Sequence, residues 1–310
     1  MKKLASLLLA VAMILSLVAC GEAPTPSNNN EEAPSQSENS DNNQDSNANS
    51  ETNQKEENQI TFTELTAVDN DECSIKITGI DADNFWGFTL KAQLENKSAE
   101  TTYMFSVESA AINGVQCDPF FATEVAAGKK SNAEISFTNN DFEKNGVGDY
   151  TDIELTFRVY DSNDWMADPV AKETVHIYPY GEDKAAKFVR ESQPGDNIII
   201  DNDSVTVVVT GYENDEIWGY TVNLFLLNKT DKDVMFSVDE ASVNGFMIDP
   251  FYATTVTAGK CAFSSMYWSD SALEDNNISA IEEIEFKMRA YDSNNWSGDD
   301  FANEVIILNP

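Results

Sequence analysis

Asp83-Asn84-Phe85-Trp86-Gly87-Phe88-Thr89 is answered 132 residues later by Asp215-Glu216-Ile217-Trp218-Gly219-Tyr220-Thr221. The correspondence spreads outward from this heptapeptide. Asp71 to Lys97 matches Asp203 to Lys229 at the same offset, a one-residue deletion follows, and the offset is 131 from there onward. Asn113-Gly114 through Asp118-Pro119-Phe120-Phe121 parallels Asn244-Gly245 through Asp249-Pro250-Phe251-Tyr252. Arg158-Val159-Tyr160-Asp161-Ser162-Asn163-Asp164-Trp165 parallels Arg289-Ala290-Tyr291-Asp292-Ser293-Asn294-Asn295-Trp296. One unit occurs twice, so each copy shows which positions its twin was free to change.

Each unit reads as strands. Cys73, Ile75 and Ile77 alternate with Ser74, Lys76 and Thr78. Trp86, Phe88, Leu90, Ala92 and Leu94 form a second inward row, and Ile153, Leu155, Phe157 and Val159 a third. Period-two alternation of this length marks strands with one wet face. Asn113-Gly114 and Asn244-Gly245 suit the positive φ of a tight hairpin turn. Asp141 to Gly146, with Ala272 to Asn277 in the second copy, reads as a short helical turn. About seven short strands per unit give the rhythm of an immunoglobulin-like sandwich. The expected fold is all-β: two tandem immunoglobulin-like β-sandwich domains, residues 60–179 and 197–310, joined by a linker over 180–196. Ala185, Phe188 and Val189 share a helical face in that linker, which predicts one to two helical turns.

Before the strands, Lys2 and Lys3 precede an apolar run, Leu4 to Val18, too short to span a bilayer and flanked as an export signal is. Residues 1–19 are expected to be a signal peptide, and residues 20–59 a lipidated cysteine followed by a disordered acidic tether. Gly21 to Asn58 is almost wholly Asn, Ser, Glu, Gln, Pro and Asp, too polar to offset its ordering entropy. Leu17-Val18-Ala19-Cys20 resembles the lipobox of bacterial lipoproteins. With the tether and the strand domains, the chain resembles Gram-positive lipoproteins that carry immunoglobulin-like extracellular domains of unknown function. The resemblance implies cleavage before Cys20, acylation of its thiol, and a place on the outer face of the cytoplasmic membrane. Two acyl chains suffice for stable anchoring where one is marginal. The alternative is a plain secreted protein with a chance cysteine.

There are 54 acidic and 19 basic side chains, a net charge of −35. Nucleic acid and anionic headgroups need a basic face and are excluded as ligands on that ground. The expected partners are the membrane, through the lipid on Cys20, and a protein or cell-wall component. Cys73, Cys117 and Cys261 are odd in number, and two of the three replace an aliphatic residue of the twin copy. They read as buried hydrophobes, with one disulfide among them left open.

No nucleophile elbow, zinc-binding helix motif, phosphate loop or Cys-x-x-Cys occurs. The single histidine, His176, has Ile307 as its twin, which favours a packing or edge position. Asp161, Asn163 and Asp164 offer oxygen ligands for calcium. An Asx turn, with Trp165 and Trp296 folded back on the sandwich, explains the same residues with fewer assumptions. No cofactor is expected. The outward positions of the first sheet are more informative. Lys76, Gln93, Glu95, Asn132 and Ser136 become Val208, Phe225, Leu227, Phe263 and Tyr267 in the second copy. An apolar patch of this kind marks a contact, either inside the chain or with a partner. The reading is a lipid-anchored binding or interaction module without catalysis; the alternative is an extracytoplasmic enzyme or solute-binding protein.

Overall fold

The computed structural model describes residues 59–310 apart from residue 139. The expectations for the signal peptide, for Cys20 and for the tether as far as residue 58 lie outside the described residues. The fold is all-β. In the first copy the strands are β1 (Leu65–Asp69), β2 (Cys73–Asp81), β3 (Phe88–Asn96), β4 (Tyr103–Ile112), β5 (Val115–Cys117), β6 (Ala122–Val125), β7 (Lys130–Phe137), β8 (Ile153–Asp161) and β9 (Ala171–Ile177). In the second they are β10 (Asn197–Asp201), β11 (Val205–Asp215), β12 (Gly219–Asn228), β13 (Val234–Val243), β14 (Phe246–Met247), β15 (Ala253–Val256), β16 (Cys261–Trp268), β17 (Ile284–Asp292) and β18 (Ala302–Leu308). Short helices α1 (Asn140–Lys144) and α2 (Asp270–Asp275) precede β8 and β17.

In the first copy β1-β2-β3-β7 form one sheet, and β4, β8 and β9 form the core of the other, with β5 and β6 paired to β4. The alternation of the strands sets what lies between them. Cys73, Ile75, Ile77, Leu90 and Leu94 face Phe105, Ile153, Leu155, Phe157 and Val159, all fully buried. The second copy repeats the plan, with β10-β11-β12-β16 against β13, β17 and β18. Its core centres on Val207, Leu224, Leu226, Phe236, Phe286 and Trp268. Even the irregularities are duplicated: β2 bulges between Ile77 and Gly79, β11 between Val209 and Gly211. A bulge bends its strand locally, so its retention keeps the two copies in one shape.

Each core is locked at one end by a buried asparagine. Asn96 Nδ2 donates to the carbonyls of Thr101 and Val125, both at 2.8 Å. Asn228 Nδ2 donates to those of Lys232 at 2.7 Å and Val256 at 2.9 Å. At the chain's entry, the amides of Thr61 and Phe62 both donate to the carbonyl of Pro179, at 2.8 and 3.2 Å.

Three expectations differ from the structure. Trp86 does not open the inward row of β3; the strand begins at Phe88, and Trp86 stands exposed in the preceding turn. Gly87, with φ of 98°, takes the chain out of that turn in a conformation an L side chain resists. Trp165 and Trp296 do not fold back on the sandwich but are also exposed. The linker forms only a 3-10 turn over Glu182–Lys184 and is otherwise without regular structure. Its residues bind the neighbouring sandwich instead: Phe188 donates its amide to Asn113 O at 2.7 Å, and Ala186 to Thr151 Oγ1 at 3.1 Å. Those bonds replace the i to i+4 bonds a helix would have made.

Candidate functional site

Two surfaces stand out, and the duplication exposes both. The first is the junction between copies. At the end of β4, Asn113 and Gly114 turn the chain into β5 with φ of 54° and 83°. The side chain of Asn113 holds the turn: Nδ2 donates to Asp149 O, and Oδ1 accepts from the amides of Thr151 and Asp152. Against this turn lies β16. Cys261 pairs with Val115 in parallel, its amide donating to Gly114 O at 3.1 Å. The sheet β10-β11-β12-β16 thereby continues through β5 into β4, β8 and β9 as one nine-stranded sheet, with β6 counted on β4. Gln116 reaches across, donating from Nε2 to Thr255 O at 2.7 Å and accepting from Thr257 N at 2.9 Å. Lys260 pairs with Glu154 beside them.

Four of the five patch residues lie here. Val208 and Phe225 are buried against the first copy's core, and Leu227 and Phe263 pack on it in part. None of these four belongs to the second copy's own core. The linker lies on two of them: the Phe188 ring meets that of Phe263 at 5.9 Å, and the Arg190 guanidinium lies 5.5 Å from the Phe225 ring centre. Asp196 fixes Arg190 with two bonds of 2.7 Å, and the guanidinium holds its carboxyl below the usual aspartate value.

Tyr267 is elsewhere. It sits at the far end of β16 between Phe251, stacked at 5.2 Å, and Trp218 at 5.1 Å. This three-ring platform belongs to the second surface, the aromatic loops. Trp86 and Trp218, Phe120 and Phe251, and Trp165 and Trp296 occupy twin positions, and all six are between 54% and 89% exposed. Their loops are pinned from below. Asn84 Oδ1 accepts the Trp86 amide at 3.0 Å, and Asp215 Oδ1 accepts those of Ile217 and Trp218 at 2.8 and 2.9 Å. These two amides hold the Asp215 carboxyl below the usual aspartate pKa by stabilising its charged form. Gly219, with φ of 85°, cannot carry a side chain, because a Cβ would lie 2.3 Å from Trp268 O.

Sequence reasoning missed the Trp86 and Trp218 loops because the alternation ran through Trp86. The available signal was the Asp or Asn two to three residues before Trp86 and Trp218 and the glycine directly after each, which together make a turn.

Asp161, Asn163 and Asp164 form such a turn as well. Asp161 Oδ1 accepts the Asn163 amide at 2.9 Å, and Asp164 Oδ1 that of Met166 at 3.2 Å. In the twin, Asp292 Oδ1 accepts the Asn294 amide at 2.9 Å while Oδ2 pairs with Lys232. Among the described residues no group of three or more His, Cys, Asp and Glu side chains is placed to hold a metal ion. His176 lies on β9 with Nδ1 2.7 Å from Asp152. Cys73, Cys117 and Cys261 are free thiols, and burial pushes those of Cys73 and Cys261 up to about 11. Such thiols are poor nucleophiles at neutral pH.

No protein-family model matches the chain, and no curated protein matches it either.

Proposed function

We propose that this chain is a non-catalytic binding module, held by lipid on Cys20 at the outer face of a Gram-positive cytoplasmic membrane. The observation that carries the binding reading is the retention of six exposed aromatic rings at twin positions. Side chains that stay wet add nothing to the core. The copies have diverged at other exposed positions, as Lys172 against Asn303 and Thr174 against Val305 attest. Trp86 and Trp218 stand on turns whose backbone is fixed by Asx hydrogen bonds, so little loop freedom is lost when a partner covers them. Rigid aromatic anchors of this type dominate the energy of recognition surfaces. The lipid reading rests on the sequence Leu17-Val18-Ala19-Cys20 and the polar segment behind it.

Two measurements test the proposal. In detergent phase separation, the Cys20→Ala chain should move to the aqueous phase; partition equal to wild type would remove the anchor. In co-sedimentation with purified cell-wall sacculi, wild type should pellet and Trp86→Ala with Trp218→Ala should remain in solution. Failure of wild type to pellet, or equal pelleting of the variant, would remove the cell-wall partner.

A further inference from the structure

We propose that chains assemble end to end by repeating between molecules the junction that joins the two copies within one. The Phe246–Met247 edge of one chain would take the Lys130 edge of a second copy.

The internal junction is heterologous: a tail on the first copy meets a head on the second. Such a contact leaves one head and one tail unused, and its repetition builds an open chain rather than a closed pair. The unused tail is β14. Gly114, Val115, Gln116 and Glu154 have Gly245, Phe246, Met247 and Glu285 as twins. Among the described residues β14 pairs only with β13, which leaves its other edge open. Phe246 is 49% and Met247 69% exposed, where their twin Val115 is 1% exposed under Cys261. The unused head is β7, the outer strand of its sheet. Lys129 and Lys130 there are the twins of Lys260 and Cys261, and both are exposed.

Charge selects this pairing over the alternatives. Glu282, Glu283 and Glu285 surround the Asn244-Gly245 turn, where Asn244 Oδ1 accepts the amides of Glu282 and Glu283. Two tails meeting edge to edge would therefore set carboxylates against carboxylates. The first head instead carries Lys129 together with Lys76 and Lys130, which pair with Glu64 at 2.8 Å and Glu95 at 3.0 Å, so no excess of carboxylates meets the tail there. The internal Lys260–Glu154 pair would be reproduced as Lys129 with Glu285 of the next chain. The first head lacks the apolar side chains of the second, but the stems of Lys76 and Lys130 supply aliphatic cover for Phe246 and Met247. The resulting contact is weaker than the internal one and relies on its ion pairs.

Disulfide trapping in the full chain tests this. Adjacent strands lie within the Cα separation a disulfide spans. Lys130→Cys and Phe246→Cys, the twins of the paired Cys261 and Val115, are prepared as separate proteins and mixed under mild oxidation. A dimer should form in the mixture, above the background of each protein alone and of the unsubstituted chain. Adding Glu285→Lys to the Phe246→Cys chain should lower its yield roughly three- to ten-fold, the range expected when one exposed ion pair becomes a repulsion. Lys129→Glu on the partner should lower it likewise, and the two together should restore it. The proposal is overturned if the mixture gives no dimer above background. A dimer from Phe246→Cys alone, or a yield indifferent to either charge reversal, overturns it equally. None of these outcomes bears on the aromatic loops.

Discussion

Thr257 donates its backbone amide to the side chain of Gln116 at 2.9 Å, and the same side chain returns a bond to Thr255 two residues away. One glutamine of the first copy thus serves as a strand partner for the second. Gln116→Ala should remove both bonds and leave the fold of each copy intact. Net hydrogen bonds of this kind contribute about 0.5–1.5 kcal/mol each. Hydrogen exchange should report it as loss of protection at Thr257 with little change at Leu224 or Leu155. Unchanged protection at Thr257 would mean that the junction does not depend on this side chain.

A second prediction concerns the covered face. Phe225→Gln with Leu227→Glu replaces apolar groups that pack on the first copy with the side-chain types seen at Gln93 and Glu95, where the same fold tolerates them. Covered apolar side chains of this size are worth about 1.5–3 kcal/mol each. The double variant should show increased protease cutting in the linker and a separate melting step for one copy. A single unshifted transition would show that the patch contributes nothing to the junction.

Asn228→Ala should be costly although it removes no charge. The change takes the amide donor from the buried Val256 carbonyl, at about 1–3 kcal/mol for an unsatisfied group, while the Lys232 carbonyl keeps its bond from Thr230 Oγ1. Urea denaturation should show the lower midpoint, and Asn96→Ala should behave the same way in the first copy. Midpoints equal to wild type would mean that water replaces the amide.

Asp196 gives the junction a defined response to acid. Its carboxyl is lowered by Arg190, so its contribution is fully present above the ordinary carboxyl value and is lost as pH falls through the lower folded value. Asp196→Asn should therefore destabilise the chain at neutral pH, and its deficit should shrink as pH is taken below 3.8. A deficit that stays constant across that range would contradict the linkage.

Strand alternation was legible because a period of two leaves little choice about which side chains are wet. Ile75, Leu90, Phe157 and Val207 follow from it directly. The duplication added something a single copy never shows: that Val208, Phe225, Leu227 and Phe263 are apolar where the fold does not need them to be. It did not reveal that Tyr267 belongs to a different surface, because position on the strand face does not say how far along the strand a neighbour reaches. Trp86 was misplaced for a related reason. Alternation runs on through a turn, and only the local hydrogen bond of Asn84 ends the strand at Phe88. Ala185, Phe188 and Val189 have helical spacing, yet Phe188 finds its partners in Asn113 and Phe263, distant in sequence and invisible to local spacing, and Val189 stands exposed.

Thr61 and Phe62 grip the carbonyl of Pro179, so the chain's arrival in the first copy is fastened to the point where it leaves for the second. The first copy therefore hangs on a closed loop. Tension arriving from the N-terminal side passes to the linker through two hydrogen bonds and bypasses the strands of that loop. Those bonds act as a fuse: while they hold, a load on the chain is felt first at the junction and the second copy, and the first copy is strained only after they part.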